Sequence, residues 1–189
     1  MDGPASDLEM RLRVLGNLLP LVSVVLFGAD LWFLLLLYWL ENFIAGGFNA
    51  LMMLTSTGRT PIARLFYAGF FSVHYGVFTF VHLFFLIAFI SGEKDVVRYL
   101  FDNVGLFVFN AAMLSLSYLW EFVSVWWPRR DVNPEMLMSA PYGRIVVLQL
   151  TIILGAFAAI FFGWNMGFLI VLILVRTFVD VYLYVRVRN

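Results

Sequence analysis

The sequence predicts an all-α fold, a polytopic transmembrane bundle of six helices, on three observations. Apolar residues make up 63% of the 189, charged residues only 13%, and the mean hydropathy is +0.94. Soluble domains run nearer 45–50% apolar and about 25% charged. A chain of ~190 residues still leaves roughly 30% of its unfolded surface exposed, so this much apolar area cannot be hidden from water. The apolar residues also gather into six runs of bilayer-spanning length, about 17–25 residues each. Finally, these runs are apolar at both odd and even positions, which disfavours a β-barrel with its alternating polar interior. A soluble domain, a disordered chain and a nucleic-acid binder are excluded.

The first run, residues 14–29, is short and carries Pro20, which should kink it. The second, residues 31–54, follows after a tight turn at Asp30. The third covers 62–90, the fourth 99–127, the fifth 142–162, and the sixth, after a turn at Gly163, 164–186. Five helices, with the first run lying in the interface, is the alternative count. The acidic N-terminus lacks the basic region and small-residue cleavage site of a secretory signal, so the first run is expected to be retained. No internal repeat is visible, and the longest polar loop, residues 128–141, is too short for a domain; residues 1–189 read as one integral membrane domain.

Basic residues predict orientation. With six spans, nine arginines share the side of the termini and two basic residues, Lys94 and Arg98, lie on the other. That bias predicts cytoplasmic N- and C-termini. Equal numbers of acidic and basic residues leave no net charge, and the absence of cysteine excludes disulfides, thiol nucleophiles and Cys-ligated metals. The partners expected are the lipid bilayer and other membrane subunits, with no nucleic acid.

Lipid offers no hydrophobic drive for helices to meet, so small residues mark packing seams. Thr151, Gly155, Ala159 and Gly163 form one such stripe, and Gly69, Ser72, Gly76 and Thr79 another. His74 lies about 160° from Gly76 on the same run, so the third helix has a close-packed side and an imidazole side, which predicts a central position.

Ionisable groups at bilayer depth cost about 2.5–3.5 kcal/mol each on insertion scales, and so require a partner or a function. Here they are Glu41, His74, His82, Glu121, Arg176 and Asp180, joined by the amides Asn42, Asn49, Asn110 and Gln149. Asn103, Asn110, Ser117 and Glu121 fall within about 40° of one another on an ideal helix, a stripe that must face protein or water. Asn49, His74, Glu121, Gln149 and Asp180 sit at similar depth on five runs, which predicts an inner-leaflet polar pocket with Arg144 at its entrance. Glu41, Asn42 and His82 lie nearer mid-membrane. His74, Glu121 and Asp180 together have donors for a divalent metal but no diagnostic spacing. Against these stand blander readings: Arg176 and Asp180, four residues apart, neutralise one another, Glu121 snorkels to the interface, and the histidines are interhelical hydrogen bonders. No nucleophile elbow, phosphate loop or dinucleotide fingerprint is present. The functional classes are therefore a small-solute or ion binder or transporter, an accessory or scaffold subunit, and an intramembrane metal-dependent enzyme.

The block Tyr38-Trp39-Leu40-Glu41-Asn42 with Asn49 is the first part of a larger pattern. His74-Tyr75-Gly76 with His82 is the second, and Pro141-Tyr142-Gly143-Arg144 with Thr151–Gly155 and Thr177–Asp180 the third. As a set these resemble an uncharacterised family of prokaryotic six-helix membrane proteins, a domain of unknown function, over most of the chain. The resemblance implies a six-helix fold in a prokaryotic cytoplasmic membrane and no established activity. It also implies further histidines near the positions held here by Tyr118, Gln149 and Tyr184, so the polar cluster of this chain is poorer in imidazole.

Overall fold

The computed structural model describes residues 30–138, together with Leu26, Gly28 and Val146. Every regular element among them is helical, with no strand. The expected first, fifth and sixth segments fall outside the described residues, apart from these isolated positions. The chain divides into two compact units, residues 1–35 with 147–189, and residues 36–146.

In the first unit the described part is the start of helix α1 (Leu31–Thr55). The Asp30 carboxylate accepts the Phe33 amide at 3.0 Å, and its carbonyl accepts the Leu34 amide at 3.2 Å. Asp30 thus caps the helix, satisfying amides that the first turn leaves orphaned.

The second unit carries the rest. After α1 and a short loop comes α2 (Pro61–Glu93), then α3 (Val96–Asp102) and α4 (Val104–Glu121). One π-helical turn (Phe122–Trp126) and a 3₁₀ turn (Trp127–Arg129) extend α4, and α5 (Pro134–Met138) follows a short connection. Among the described residues three stretches are long and apolar enough to cross a membrane: Trp32–Thr55, Pro61–Ala88 and Val104–Arg129.

Local chemistry fixes the element ends. Thr60 stands before α2, with Pro61 at its first position; the Thr60 carbonyl accepts the Arg64 amide at 3.0 Å, and proline suits a site whose N–H would be orphaned anyway. At the end of α1, Arg64 Nη1 donates to the Ser56 carbonyl at 2.7 Å, and Ser56 Oγ to Met53 O at 2.8 Å. Asp95 caps α3 by accepting the Arg98 amide at 3.1 Å. Asn103 closes α3 and opens α4, so the expected single helix over 99–127 is broken there. The expected polar stripe is not enclosed along its length: Asn110 is buried, but Ser117 on the same helix is exposed.

The α1–α2 contact sets the register of the unit. On α2 the buried residues Ala68, Phe71, Tyr75, Thr79, His82 and Leu86 form one stripe. The Tyr75 ring lies directly over Gly46: a Cβ there would sit 2.3 Å from Tyr75 Cε1. Tyr75 Oη donates to the Asn42 carbonyl at 2.9 Å, and Trp39 Nε1 to the Thr79 carbonyl at 2.8 Å. Met53, Ala68, Phe71 and Tyr75 form the core below, with Ala50, Leu137 and Met138 against it.

Two sequence expectations are corrected by this packing. The Gly69–Ser72–Gly76 stripe is not the seam: Gly69 and Ser72 are exposed, and Cβ atoms added at Gly69 and Gly76 meet nothing within 4 Å. Nor is the third predicted segment, now α2, central. It buries one stripe and leaves its other faces open, whereas α1 is the enclosed helix, 56% buried across its apolar window against 28% for α2 and 17% for the Val104–Arg129 stretch.

The chain runs along α1, back along α2 and forward again along α4. Phe48 stacks on Tyr118 and tilts against Phe122, and Trp126 Nε1 donates to Thr55 Oγ1 at 3.0 Å, so α1 and α4 run parallel. The loops at one end are consequently tied together. The Thr57 amide donates to the Arg130 carbonyl at 2.8 Å, and Arg59 pairs with Glu135 at 3.2 Å. Gly58 lies so close to Val132 that a Cβ would meet its carbonyl at 2.7 Å. Arg59, Arg64, Arg129 and Arg130 therefore share one end of the unit.

The contact at Gly46 makes a direct prediction. Gly46→Ala forces the buried Tyr75 ring aside and is expected to destabilise by about 1–3 kcal/mol, the usual penalty of overpacking. Gly69→Ala, in open space, should be neutral or slightly stabilising. Thermal denaturation of both variants in detergent checks this; equal melting temperatures for the two would contradict the register.

Candidate functional site

Three helices carry buried polar side chains: Glu41 and Asn42 on α1, Thr79 and His82 on α2, and Asn110 on α4. The α1–α2 contacts pair Trp39 with Thr79, Asn42 with Tyr75, and Met53 with Ala68. By the two pairs that bracket it, Glu41 lies opposite Gly76–Val77, and His82 is five to six residues, about 8 Å, further along α2. Glu41 precedes Phe48 by seven residues and so shares its face, the one turned to α4. The parallel α1–α4 offset, Phe48 with Tyr118 and Thr55 with Trp126, puts Asn110 at the height of Glu41.

Each member is enclosed. Glu41 and His82 are 6% exposed, Asn42 3%, Thr79 4% and Asn110 1%. The Asn42 and Thr79 carbonyls are taken by Tyr75 and Trp39, as described. Thr79 Oγ1 donates to the Tyr75 carbonyl at 2.9 Å, and Asn110 Nδ2 to Leu106 O at 2.8 Å. The surroundings are otherwise apolar, with Tyr38, Leu86 and Leu114 buried on the same three helices. A carboxyl group and an imidazole buried in such a setting offer an oxygen and a nitrogen donor, and each can take up or release a proton.

The remaining candidates fall elsewhere. Asn49 is buried toward the Arg-rich end, and its Nδ2 donates to the Leu137 carbonyl at 3.0 Å. The α5 segment is thereby drawn inside the end of α1, six residues above Thr55. His74 is on the exposed face of α2, stacked on Phe70 at 5.8 Å and edge-on to Phe78 at 5.2 Å. Glu121 is half-buried at the end of α4. Gln149, Asp180, Arg144 and Arg176 lie outside the described residues, and with them the His74–Glu121–Asp180 metal set. Among the described residues no three His, Asp or Glu side chains gather as a metal site.

Asn110 and Thr79 join the site without having been named as candidates for it. Asn110 is legible as part of the α4 polar stripe, but its partner helix is not. Thr79 reads from sequence as a small packing residue, and its contribution, a backbone carbonyl facing Trp39, leaves no mark in the residue pattern.

Among the described residues these features define an all-helical protein with three membrane-length helices and buried polar side chains among them. The chain belongs to the DUF6498 family, a family of unknown function, whose model matches residues 3–189. No curated protein matches it, and no solved structure does.

Asn49 offers the clearest mutational check of how this end is held. Asn49→Leu removes the bond to the Leu137 carbonyl, and a loss of about 0.6–1.7 kcal/mol is expected from interhelical hydrogen bonds of this kind. Limited proteolysis should then cut the 130–138 segment faster. An unchanged cleavage rate would show that Asn49 does not hold it.

Proposed function

We propose that this chain is a multipass protein of a prokaryotic cytoplasmic membrane, with six spans over one integral domain and both termini cytoplasmic, and that it binds or passes a small ion or solute through buried polar groups that include Glu41 and His82. Membrane residence is supported by the composition and by the three apolar helices. The orientation is supported by the four arginines gathered at the end where the 56–60 loop meets residues 130–135, against Lys94 and Arg98 on the α2–α3 side.

The observation that carries the functional reading is the burial of two ionisable side chains, Glu41 and His82, on adjacent spans. Intramembrane ionisable groups are costly and mark ion, proton or substrate pathways. The inner-leaflet group is not carried into this reading: His74 faces outward, and Gln149, Asp180 and Arg144 lie outside the described residues. A scaffold subunit is the second reading. It is favoured by the side-chain bonds of Tyr75, Trp39 and Asn49, all of which end on backbone carbonyls of neighbouring segments and lock helices together.

Proteoliposomes separate the two. The full chain is reconstituted with a pH-sensitive dye inside, and a potassium gradient with valinomycin drives counter-movement of protons or added cations. The ion reading predicts flux above that of empty liposomes and at least a tenfold loss in Glu41→Gln. No flux, together with a Glu41→Gln protein as stable as the parent, would leave the scaffold reading in place.

A further inference from the structure

The end where the loops meet holds basic charge that the described carboxylates do not absorb. Arg59 is paired with Glu135, whose Oε1 also accepts the Tyr67 hydroxyl, and Arg64 donates to the Ser56 carbonyl. Asp131 accepts the Thr57 hydroxyl at 3.3 Å. Arg129 and Arg130 make no ion pair with a described carboxylate; they lie at the end of the third apolar stretch, Val104–Arg129, on and just after the 3₁₀ turn. Arg130 is held at both ends: its carbonyl accepts the Thr57 amide at 2.8 Å, and its guanidinium lies 4.1 Å from the Trp127 ring centroid. Trp127 itself is 47% exposed beside the exposed Pro128 and Arg129.

This is a preset arrangement of the kind that recognises a phosphodiester. A guanidinium fork matches phosphate oxygens and is stiffened when stacked on an indole. An exposed tryptophan at the end of a span lies at headgroup level. We propose that Trp127, Arg129 and Arg130 form a binding surface for the headgroup of an anionic phospholipid. The inference rests on the membrane reading above and is independent of the Glu41–His82 reading. The occupant is a lipid because the two arginines follow directly on an apolar span, whose acyl-facing flank includes exposed Val123 and Leu119. Two basic side chains near an anionic surface imply a preference of roughly 30-fold over a zwitterionic lipid.

The test uses the full chain extracted in detergent, with native mass spectrometry of retained lipid. Phosphatidylglycerol and phosphatidylcholine of identical acyl chains are added in separate titrations. The expected result is a roughly 30-fold lower apparent Kd for phosphatidylglycerol, lost in the double variant Arg129→Gln/Arg130→Gln. Arg59→Gln, whose charge Glu135 already engages, should keep the preference. Arg130→Lys, which keeps the charge but not the fork, should fall between, and supplies a milder variant if the double substitution aggregates on size exclusion. Equal affinity for the two lipids, or a preference unchanged in both the double variant and Arg130→Lys, overturns the inference. So does competition by soluble glycerol phosphate at the concentration of the lipid, which would identify a free phosphate site. Failure of the membrane reading is distinct: the chain would then wash from membranes in alkaline carbonate without detergent.

Discussion

The seat of the Tyr75 ring over Gly46 is the contact on which the rest of the described unit depends. In a hydrocarbon medium two apolar helices gain little by meeting, so their register must come from close packing and from hydrogen bonds. Gly46 supplies the packing by removing the one atom that would collide with Tyr75. The Tyr75 hydroxyl supplies the bond by reaching the Asn42 carbonyl one turn away. Trp39 repeats the device one step along, on the Thr79 carbonyl. Together these fix α1 against α2 in rotation and in height.

The same register closes the far end of the hairpin. With α1 and α2 locked, Thr57 and Gly58 are presented to residues 130–133, and Asn49 is left with a polar amide inside the end of the bundle. The Leu137 carbonyl satisfies it, and Leu137 and Met138 cover the core of Met53, Ala68, Phe71 and Tyr75. One buried amide therefore ties a surface connection to the interior. Burying such an amide without a partner would cost more than the bond returns, so α5 and Asn49 stand or fall together.

Much of this was legible in the sequence. Length and hydropathy placed the second and third segments within three residues of α1 and α2, because a run of apolar residues bounded by Asp30, by the 56–60 loop and by Lys94 admits few other readings. Glu41, Asn42 and His82 stood out as polar groups at depth. What could not be read was direction around each helix. His74 and His82 are two turns apart on one helix with nearly equal claims by residue type, yet one is exposed and the other buried, since the choice belongs to the Tyr75–Thr79 stripe between them. The glycine stripe misled for the same reason: Gly69 and Gly76 are small, but closeness needs a partner opposite, and the partner lies at Gly46. The break at Asn103 was hidden because asparagine is compatible with both a cap and a helix interior.

The central claim is that Glu41 faces the interior of the spans, at bilayer depth, and not water. Carbodiimides test this directly, since they modify a protonated carboxyl group and are available in hydrophobic and in water-soluble forms. The full chain, in native membranes, is treated with each reagent, digested and mapped by mass spectrometry. Modification of Glu41 by the hydrophobic reagent and none by the water-soluble one is expected, while the exposed Glu135 shows that the water-soluble reagent reached the protein. Equal modification of Glu41 by both reagents would place it in water and contradict the account.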